Sequence, residues 1–100
     1  MYDEIDKVLH QRIRLAIVSI LIKVKKVDFN YLKAQTNTTQ GNLSHQLKKL
    51  KEAGYINIEK TFENNYPKTF CVLTAVGKKA FEEYVEQMKF YLNLNNKAQQ

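Results

Sequence analysis

The hydrophobic pattern of the first quarter of the chain predicts a long helix. Apolar residues begin at Ile5, and from Ile13 to Val24 they nearly encircle a helical axis. A helix that is apolar on most sides is buried on most sides. We therefore expect residues 3–24 to form the central helix of the core, with a bend at the polar residues 10–12.

Two shorter helices are predicted next. Asp28 is a good N-cap for a short second helix that carries Phe29 and Leu32. The polar run TNTT at residues 36–39 has the composition of a turn, and Thr38 is the expected N-cap of a third helix.

The third helix carries a regular leucine stripe. At about 100° per residue, Leu47 and Leu50 fall within about 40° of Leu43. Glycine is the usual residue in the left-handed conformation just beyond a helix C-terminus. Gly54 therefore predicts that the helix ends near Ala53.

The remaining pattern predicts a hairpin and a last helix. Residues 55–62 alternate loosely between apolar and polar, residues 63–67 (ENNYP) have turn composition, and residues 68–73 form the return strand. Thr74 caps a helix that runs to about Leu92. The chain is therefore expected to be mainly α with a small β-hairpin, built around one core.

Composition limits the class of protein. One hundred residues with 44% hydrophobic content suit a single domain, which we place at residues 1–92; the polar tail 93–100 is expected to be disordered. The acidic start MYDEID lacks an apolar signal region, and no apolar run is long enough to cross a bilayer. The single Cys71 cannot form an intrachain disulfide. These features predict a cytoplasmic protein without membrane contact.

The charge balance points to a polyanionic partner. Sixteen basic and ten acidic side chains give a formal net charge of +6 and a sequence pI of about 9.4. A basic balance favours nucleic acid, although many basic globular proteins do not bind it. The excess is spread along the chain, so only folding could gather it onto one face.

The outer face of the third helix is the main candidate for contact. Opposite the leucines lie amides, a hydroxyl, an imidazole and lysines, which can bond base edges or phosphates, although a solvated helix face is commonly polar too. Gly41 costs about 1 kcal/mol against alanine inside a helix, and on the contact side it would let the helix approach a surface closely. The candidate contact residues of this helix are Thr39, Gln40, Asn42, Ser44, His45, Lys48 and Lys49.

The predicted hairpin gives the third helix a context. Three helices followed by a two-stranded ribbon form the winged helix-turn-helix arrangement. In it, the third helix lies in the major groove of DNA, and the ribbon reaches the backbone or the minor groove. Asparagines at a hairpin tip are also ordinary turn formers, and Glu59 and Glu63 oppose the basic residues of the ribbon. The candidate contact residues of the ribbon are Lys60, Asn64, Asn65, Lys68 and Thr69.

The sequence closely resembles small winged-helix transcriptional regulators of the MarR/ArsR-like type, over about residues 5–92. The resemblance lies in four runs: HQRIRLAIVSIL, DFNYLK, TQGNLSHQLKKLKEAGYINIEK and YPKTFCVLTAVGKKAFEEY. It implies binding of operator DNA as a homodimer, commonly with repression of transcription. It also implies DNA contact at the positions of Gln40, Asn42, Ser44, His45, Lys48 and Lys49, and on the wing at Lys68 and Thr69.

The last helix has a broader apolar face than attachment to a small core requires. Part of this face is expected to meet a second chain together with the N-terminal apolar residues, although both could instead pack within the monomer. A twofold dimer would present its third helices to an inverted repeat with half-sites about 10 bp apart. The expected dimerisation helices are therefore N- and C-terminal. The expected interface residues are Ile5, Val8, Leu9, Phe81, Tyr84, Val85, Met88, Tyr91 and Leu92.

Other functions have less support in the sequence. The main alternative is a winged-helix module that binds a protein instead of DNA, which would need apolar side chains on the outer face of the third helix. No cofactor or metal is expected, since Cys71, His10 and His45 are too few to hold a metal ion. No nucleophile–base pair, phosphate loop or carboxylate dyad predicts an enzyme. A small-molecule effector is left open, because no residue pattern identifies one.

Overall fold

The computed structural model of the chain describes residues 2–93. Within that range it contains four helices and three strands, and the mainly helical fold with a β-hairpin is confirmed. Of the tail predicted over residues 93–100, residues 94–100 lie outside the described range. The elements in chain order are α1 (Arg12–Val24), β1 (Lys26–Asp28), α2 (Phe29–Thr36), α3 (Gln40–Glu52), β2 (Ile56–Glu63), β3 (Tyr66–Leu73) and α4 (Ala75–Leu92).

Helix α1 is the centre of the hydrophobic core, as its apolar sequence predicts. The side chains of Ile13, Ile17, Val18 and Leu21 are at most 3% exposed. Burial of an aliphatic side chain of this size contributes about 1.5–3 kcal/mol relative to exposure. Because α1 packs against α2, α3 and α4, it fixes the position of the other helices.

The predicted helix over residues 3–24 is wrong before Arg12. The Oδ1 atom of Asp6 accepts hydrogen bonds from the backbone N–H groups of Val8 (2.8 Å) and Leu9 (3.1 Å). Such bonds from a side chain to nearby backbone compete with helical hydrogen bonds. The chain therefore forms turns here, and the expected N-terminal dimerisation helix is replaced by an irregular segment.

This N-terminal segment, residues 2–11, packs back onto the core. Leu9 is fully buried, and the hydroxyl of Tyr55 donates to Oδ2 of Asp6 at 2.5 Å. Burial, with the hydrogen bond to Asp6 second, raises the pKa of Tyr55 to about 12. Gln11 then caps α1 with its side chain, so the helix begins at the bend that its polar residues predict.

The connection between α2 and α3 forms the helix-turn-helix. Asp28 caps α2 as predicted, accepting a backbone N–H of the first turn at 2.7 Å. Asn37 ends α2 in the left-handed conformation, with φ at 51°. The N-cap of α3 is Thr39 and not the predicted Thr38: Oγ1 of Thr39 accepts the backbone N–H of Asn42 at 3.1 Å.

Helix α3 ends at a glycine, as predicted. Gly54 has φ at +81°, and its N–H donates to the carbonyl of Lys51 at 2.9 Å. The next N–H, of Tyr55, donates to the carbonyl of Leu50 at 3.0 Å. This pair of bonds is the Schellman motif, which satisfies the last carbonyls of the helix and turns the chain into β2.

The hairpin formed by β2 and β3 is longer and tighter than predicted. The strands pair antiparallel from Ile56 opposite Leu73 to Glu63 opposite Tyr66. Asn64–Asn65 is the whole turn, with φ at 52° and 68°. Two consecutive positive φ values are characteristic of a two-residue type I′ turn, which asparagine tolerates.

Strand β1 was not predicted. Its three residues pair with β3, with Val27 opposite Cys71, so the described sheet has the order β1-β3-β2. Three residues are too few for a recognisable alternation of apolar and polar positions. The pairing places β3 in the middle of the sheet and anchors the hairpin to the end of α1.

Helix α4 begins against the end of α3. Thr74 caps α4 as predicted, accepting the N–H of Gly77 at 2.9 Å, while its hydroxyl donates to the carbonyl of Gly54 at 2.7 Å. A Cβ atom at Gly77 would overlap the backbone carbonyl of Tyr55, so glycine permits this close approach. The hairpin and α4 therefore take fixed positions relative to α3.

Candidate nucleic-acid interface

Helix α3 presents an exposed polar face opposite its buried leucines. Leu43, Leu47 and Leu50 are at most 5% exposed, and the only acidic residue of α3 is its last one, Glu52. The first turn, where the helix dipole is positive, carries no acidic side chain. This face is therefore cationic and rich in hydrogen-bonding groups. The predicted contact residues found exposed on it or at its cap are Thr39, Gln40, Ser44, His45, Lys48 and Lys49.

An open cleft lies between α3 and the wing, which comprises β2, β3 and their turn. Its volume is about 820 Å³, and residues at the start of α2 also line it. Residues predicted separately on the third helix and on the hairpin thus line one concave surface. Its polar and basic lining residues are Asn30, Gln40, Ser44, Lys48, Lys51, Lys60, Asn64, Lys68 and Thr69.

Two of these lining residues were not predicted from the sequence. Lys51 lies three residues after Lys48, on the same side of α3, so the helical period could have identified it. Asn30 lies in α2, and its place in the cleft depends on how α2 packs beside the wing. No local sequence signal could have identified Asn30.

Asn42 is half-buried, and its side chain is already hydrogen-bonded within the protein. Its Nδ2 donates to Oγ1 of Thr38 at 2.8 Å, and its Oδ1 accepts from Nε2 of Gln46 at 3.1 Å. Gln46 is 8% exposed and accepts from Nη1 of Arg14 at 2.5 Å. We call Thr38, Asn42, Gln46 and Arg14 the amide relay. It joins one edge of α3 to α1.

The amide relay continues into the N-terminal segment. The Nε atom of Arg14 donates to the backbone carbonyl of Val8 at 2.6 Å. Gln46 has no role in the sequence prediction, because it lies on the buried side of α3 beside Leu47. A polar residue on an apolar helix face is the signal that could have identified it, since buried polar groups are hydrogen-bonded.

The wing residues differ in how they are engaged. The Nζ of Lys68 lies 3.3 Å from Oε1 of Glu63 and 3.8 Å from Oδ2 of Asp28. Glu59 is paired with Lys26 at 3.0 Å. Exposed ion pairs of this kind contribute about 0–1 kcal/mol, so a phosphate can displace them. Because Glu59 is paired with Lys26, it reduces the positive charge around Lys60 less than its position in the sequence suggests.

The remaining predicted wing residues lie toward the tip of the ribbon. Lys60 is exposed, and Thr69 lies opposite it in the register of the two strands. Asn64 and Asn65 are both exposed and form the turn itself. Asparagine tolerates the positive φ of this turn, which explains why both residues are asparagine. Their side-chain amides remain at the surface.

The predicted dimer residues fall into three groups. Leu9 and Tyr84 are 0% and 5% exposed in the core of the protomer itself, so they offer almost no surface to a second chain. Tyr84 is held there by a 2.8 Å hydrogen bond to Nδ1 of His10, and burial raises its pKa. Tyr91 and Leu92 are exposed. The half-buried members of the set are Ile5, Val8, Phe81, Val85 and Met88.

An aromatic cluster lies where the N-terminal segment meets the end of α4. The ring of Tyr2 packs edge-on against Phe90 and Tyr91, with centroids 4.5 Å and 5.2 Å apart. Both Tyr2 and Phe90 are exposed and were not predicted. We call Tyr2, Phe90, Tyr91 and Leu92 the terminal aromatic patch.

Other kinds of site are not found in the described residues. Within residues 2–93, no group of three or more His, Cys, Asp and Glu side chains is arranged to hold a metal ion. Over the same range, no helix has the length and apolar character needed to cross a membrane. Cys71 is buried, and burial raises the pKa of its thiol to about 12, so the thiol stays protonated at neutral pH.

Comparisons with known proteins agree with this geometry. The protein is similar to the protein MJ0432 of Methanocaldococcus jannaschii, described as uncharacterized, with 35% identity over 82 residues that cover 82% of this chain and 89% of that protein. Its fold is similar to a transcriptional regulator homologue from Pyrococcus horikoshii OT3, with a TM-score of 0.80, 22% identity, and coverage of 86% and 85% of the two chains. It is also similar to NadR in complex with 4-hydroxyphenylacetate, with a TM-score of 0.67, 24% identity, and coverage of 93% and 68%.

A family model described as a winged helix DNA-binding domain matches residues 13–92. The matched range runs from the second residue of α1 to the last residue of α4, so it includes both α3 and the wing. The resemblance found in the sequence is thereby confirmed. The chain belongs to the family of winged helix DNA-binding domains.

Proposed function

We propose that the protein is a cytoplasmic transcriptional repressor that binds double-stranded DNA sequence-specifically, as a homodimer on an inverted-repeat operator. Helix α3 enters the major groove, and the wing contacts the backbone or the minor groove. The observation that carries this proposal is the exposed polar and cationic face of α3, which lies beside the wing across an open cleft.

The side chains around the cleft divide into two chemical classes. The lysines supply charge without sequence information and are assigned to phosphates: Lys48, Lys49, Lys51, Lys60 and Lys68. Gln40, Ser44 and His45 carry donors and acceptors that can distinguish base edges. Asn42 shares this chemistry, but its two bonds within the amide relay make it a secondary candidate.

The composition of the α3 face favours DNA over the alternative of a protein-binding module. A protein partner would bury large apolar side chains there, since the centre of a protein interface is apolar and depleted in charge. The exposed residues of α3 are instead Gln40, Gly41, Ser44, His45, Lys48, Lys49, Lys51 and Glu52. A surface of this composition is complementary to a groove lined by phosphates.

The homodimer is supported by the terminal aromatic patch. Exposed aromatic side chains that lie together are typical of surfaces that meet a partner. Tyr91 donates to the backbone carbonyl of Asp3 at 2.7 Å, so the N-terminal segment and α4 form one surface. For both copies of α3 to enter successive turns of the major groove, a twofold dimer formed through this surface must set them about 34 Å apart. The effector that the sequence leaves open is not part of this proposal.

The decisive experiment is selection of bound duplexes from a random library, followed by titration of the selected duplex at increasing salt. An inverted repeat with half-sites about 10 bp apart would support the dimer. The logarithm of the affinity should fall linearly with the logarithm of the salt concentration, with a slope of about −0.9 for each neutralised phosphate. A flat salt response, or a library without enrichment, would refute sequence-specific binding.

A charge-reversal pair tests whether α3 is the contact. The double substitution Lys48→Glu and Lys49→Glu should weaken binding to every duplex by at least about tenfold, because two phosphate contacts are lost. Lys78→Glu and Lys79→Glu change the net charge equally at an adjacent, exposed pair on α4 and serve as the matched control. Equal losses in both variants would mean that net charge, and not α3, determines binding.

A further inference from the structure

Two aromatic side chains flank the tip of the wing. Phe62 and Tyr66 are 73% and 74% exposed, more than any other large apolar side chain of the described residues. Single exposed aromatics are common on protein surfaces, but here two of them flank the same two-residue turn. These two side chains do not pack in the core, because both lie at the end of the ribbon that is farthest from it.

The register of the strands places the two rings on opposite faces of the ribbon. Phe62 lies opposite Pro67, and Tyr66 lies opposite Glu63. Because successive side chains of a strand alternate between faces, Phe62 and Tyr66 point to opposite sides. The turn at Asn64–Asn65 holds the strands together just beyond them. The tip of the wing is therefore a narrow blade with an aromatic ring on each side.

We propose that Phe62 and Tyr66 form an apolar wedge that enters the minor groove beside the half-site read by α3 and partly unstacks a base step. The proposal rests on the proposed function. Proteins that insert apolar side chains between base steps kink the duplex by about 20–90°. The wedge would accordingly bend the operator at each wing.

The surroundings of the two rings favour DNA as the occupant. Tyr66 lines the cleft together with Lys60 and Asn64, so one ring of the wedge borders the surface assigned to DNA, while Phe62 lies outside the cleft lining. The minor groove is about 6 Å wide and does not admit a helix, so the narrow two-residue tip of the ribbon is the part of the wing suited to enter it. The amides beside the rings can bond the acceptors on the groove floor.

The wedge would also give the protein a preference at positions that α3 does not touch. Pyrimidine–purine steps such as TA and CA/TG unstack most easily, so they are expected to be enriched where the wing tips meet the flanks of the half-sites. This preference is separate from the bases read in the major groove.

Tryptophan fluorescence can test the wedge directly, because the chain contains no tryptophan. Phe62→Trp and Tyr66→Trp each place a single reporter at the wing tip. Val76→Trp is the matched control, because Val76 is 59% exposed at the start of α4, beyond the opposite end of β3 from the wing tip. The probe is a fluorescein-labelled duplex of about 30 bp, or three helical turns, that carries the sequence selected from the random library with TA steps at its flanks, at about 50 mM salt.

Stacking on bases should lower the emission of both wing-tip variants at least about twofold on saturation with duplex, while the control changes little. Anisotropy of the labelled duplex reports binding separately. Binding without loss of emission at the wing tip would overturn the wedge and leave the proposed function standing. If the wild-type protein does not bind the duplex at all, the proposed function falls, and the wedge falls with it.

A second measurement tests the contribution of the rings to affinity and bending. The double variant Phe62→Ala and Tyr66→Ala should keep the wild-type melting temperature, because both side chains are exposed. It should bind the duplex about tenfold more weakly, as expected for the loss of one stacked base contact. Energy transfer between dyes at the two duplex ends should show a bend with the wild type and a straighter duplex with the variant. Equal bending by both proteins would overturn the wedge.

Discussion

Replacement of Gly41 by alanine should change stability and DNA binding in opposite directions. Gly41 is the second residue of α3, on its outer face, and a Cβ atom there meets no other atom within 4 Å. Its φ is not in the left-handed region, so alanine fits the backbone. Gly41→Ala should therefore stabilise the free protein by about 0.4–1 kcal/mol, chiefly by restricting the unfolded chain.

The same methyl group should weaken DNA binding. If α3 lies in the major groove with this face toward the bases, the added carbon stands between two closely packed surfaces. An extra methylene in a well-packed contact costs about 1–3 kcal/mol, so the affinity should fall about tenfold. No such loss is expected from a helix face that only meets water.

Two measurements on one variant separate these effects. Thermal unfolding of the free protein should show a rise of roughly 2–8 °C in melting temperature, given about 4–8 °C per kcal/mol for a domain of this size. Anisotropy titration with a duplex at fixed salt should show the weaker binding. Gly54→Ala is the matched control, because its φ of +81° makes alanine strained and destabilising.

Each measurement can refute a different step. A lower melting temperature for Gly41→Ala would mean that the first turn of α3 is not the open helical site described above. A higher melting temperature with unchanged affinity would mean that the N-terminal half of α3 does not approach DNA closely, and the assignment of Gln40 and Ser44 to bases would fail with it.

Three further variants test the contacts that hold α3 in place. Gly77→Ala should destabilise the protein by about 1–3 kcal/mol or prevent folding, since its Cβ overlaps the carbonyl of Tyr55; a wild-type urea midpoint would contradict the tight start of α4. Gln46→Leu should cost about 1–3 kcal/mol in urea unfolding, because Nη1 of Arg14 loses its acceptor. Adding Arg14→Leu should recover part of that loss, whereas simple additivity of the two substitutions would refute the relay. The pKa of Tyr55 is raised from 10 to about 12, so Tyr55 contributes to the free energy of unfolding fully below pH 10, and this contribution is lost as the pH rises to 12. The free energy of unfolding of Tyr55→Phe should therefore fall less steeply with pH than that of the wild type. Cys71 is present in both proteins, so its own titration cancels in the difference.

The caps and the helix stop were predictable from the sequence because their chemistry is local. Asp28 and Thr74 each bond an N–H three residues ahead, and Gly54 supplies the one backbone conformation that ends α3. Thr39 replaced Thr38 as the cap of α3, an error of one residue between two threonines that share the same chemistry. Such signals need no knowledge of the tertiary fold.

The elements that were missed depend on distant partners. Strand β1 exists because the middle strand β3 offers it a free edge, with Val27 opposite Cys71. The N-terminal segment leaves the helical pattern because Asp6 bonds both the adjacent backbone and Tyr55, which is 49 residues away. The apolar period of residues 3–9 was real, but it reflects burial against the core and not a helix.

The candidate interface was predictable to the extent that it follows from helical periodicity. A three-leucine stripe fixes which side of α3 is buried, and the opposite side is exposed as expected. The positions of the wing residues could be predicted from the hairpin alone. Periodicity does not reveal whether an amide is occupied, and the partner of Gln46 is Arg14, which lies 32 residues earlier in the chain. Periodicity also does not reveal that Leu9 and Tyr84 are buried within one protomer, and their place in a dimer interface stays a prediction.

The occupied amide of Asn42 determines how α3 can read DNA. A bidentate bond from asparagine to adenine favours the correct base by about 1–3 kcal/mol. To form it, Asn42 would release its bond to Thr38, which has a net contribution of about 0.5–1.5 kcal/mol. Forming it would also leave the buried amide of Gln46 without its acceptor, at a cost of about 1–3 kcal/mol. The losses equal or exceed the gain, so we expect Asn42 to brace α3 against α1 and to leave sequence preference to the exposed side chains of the same face.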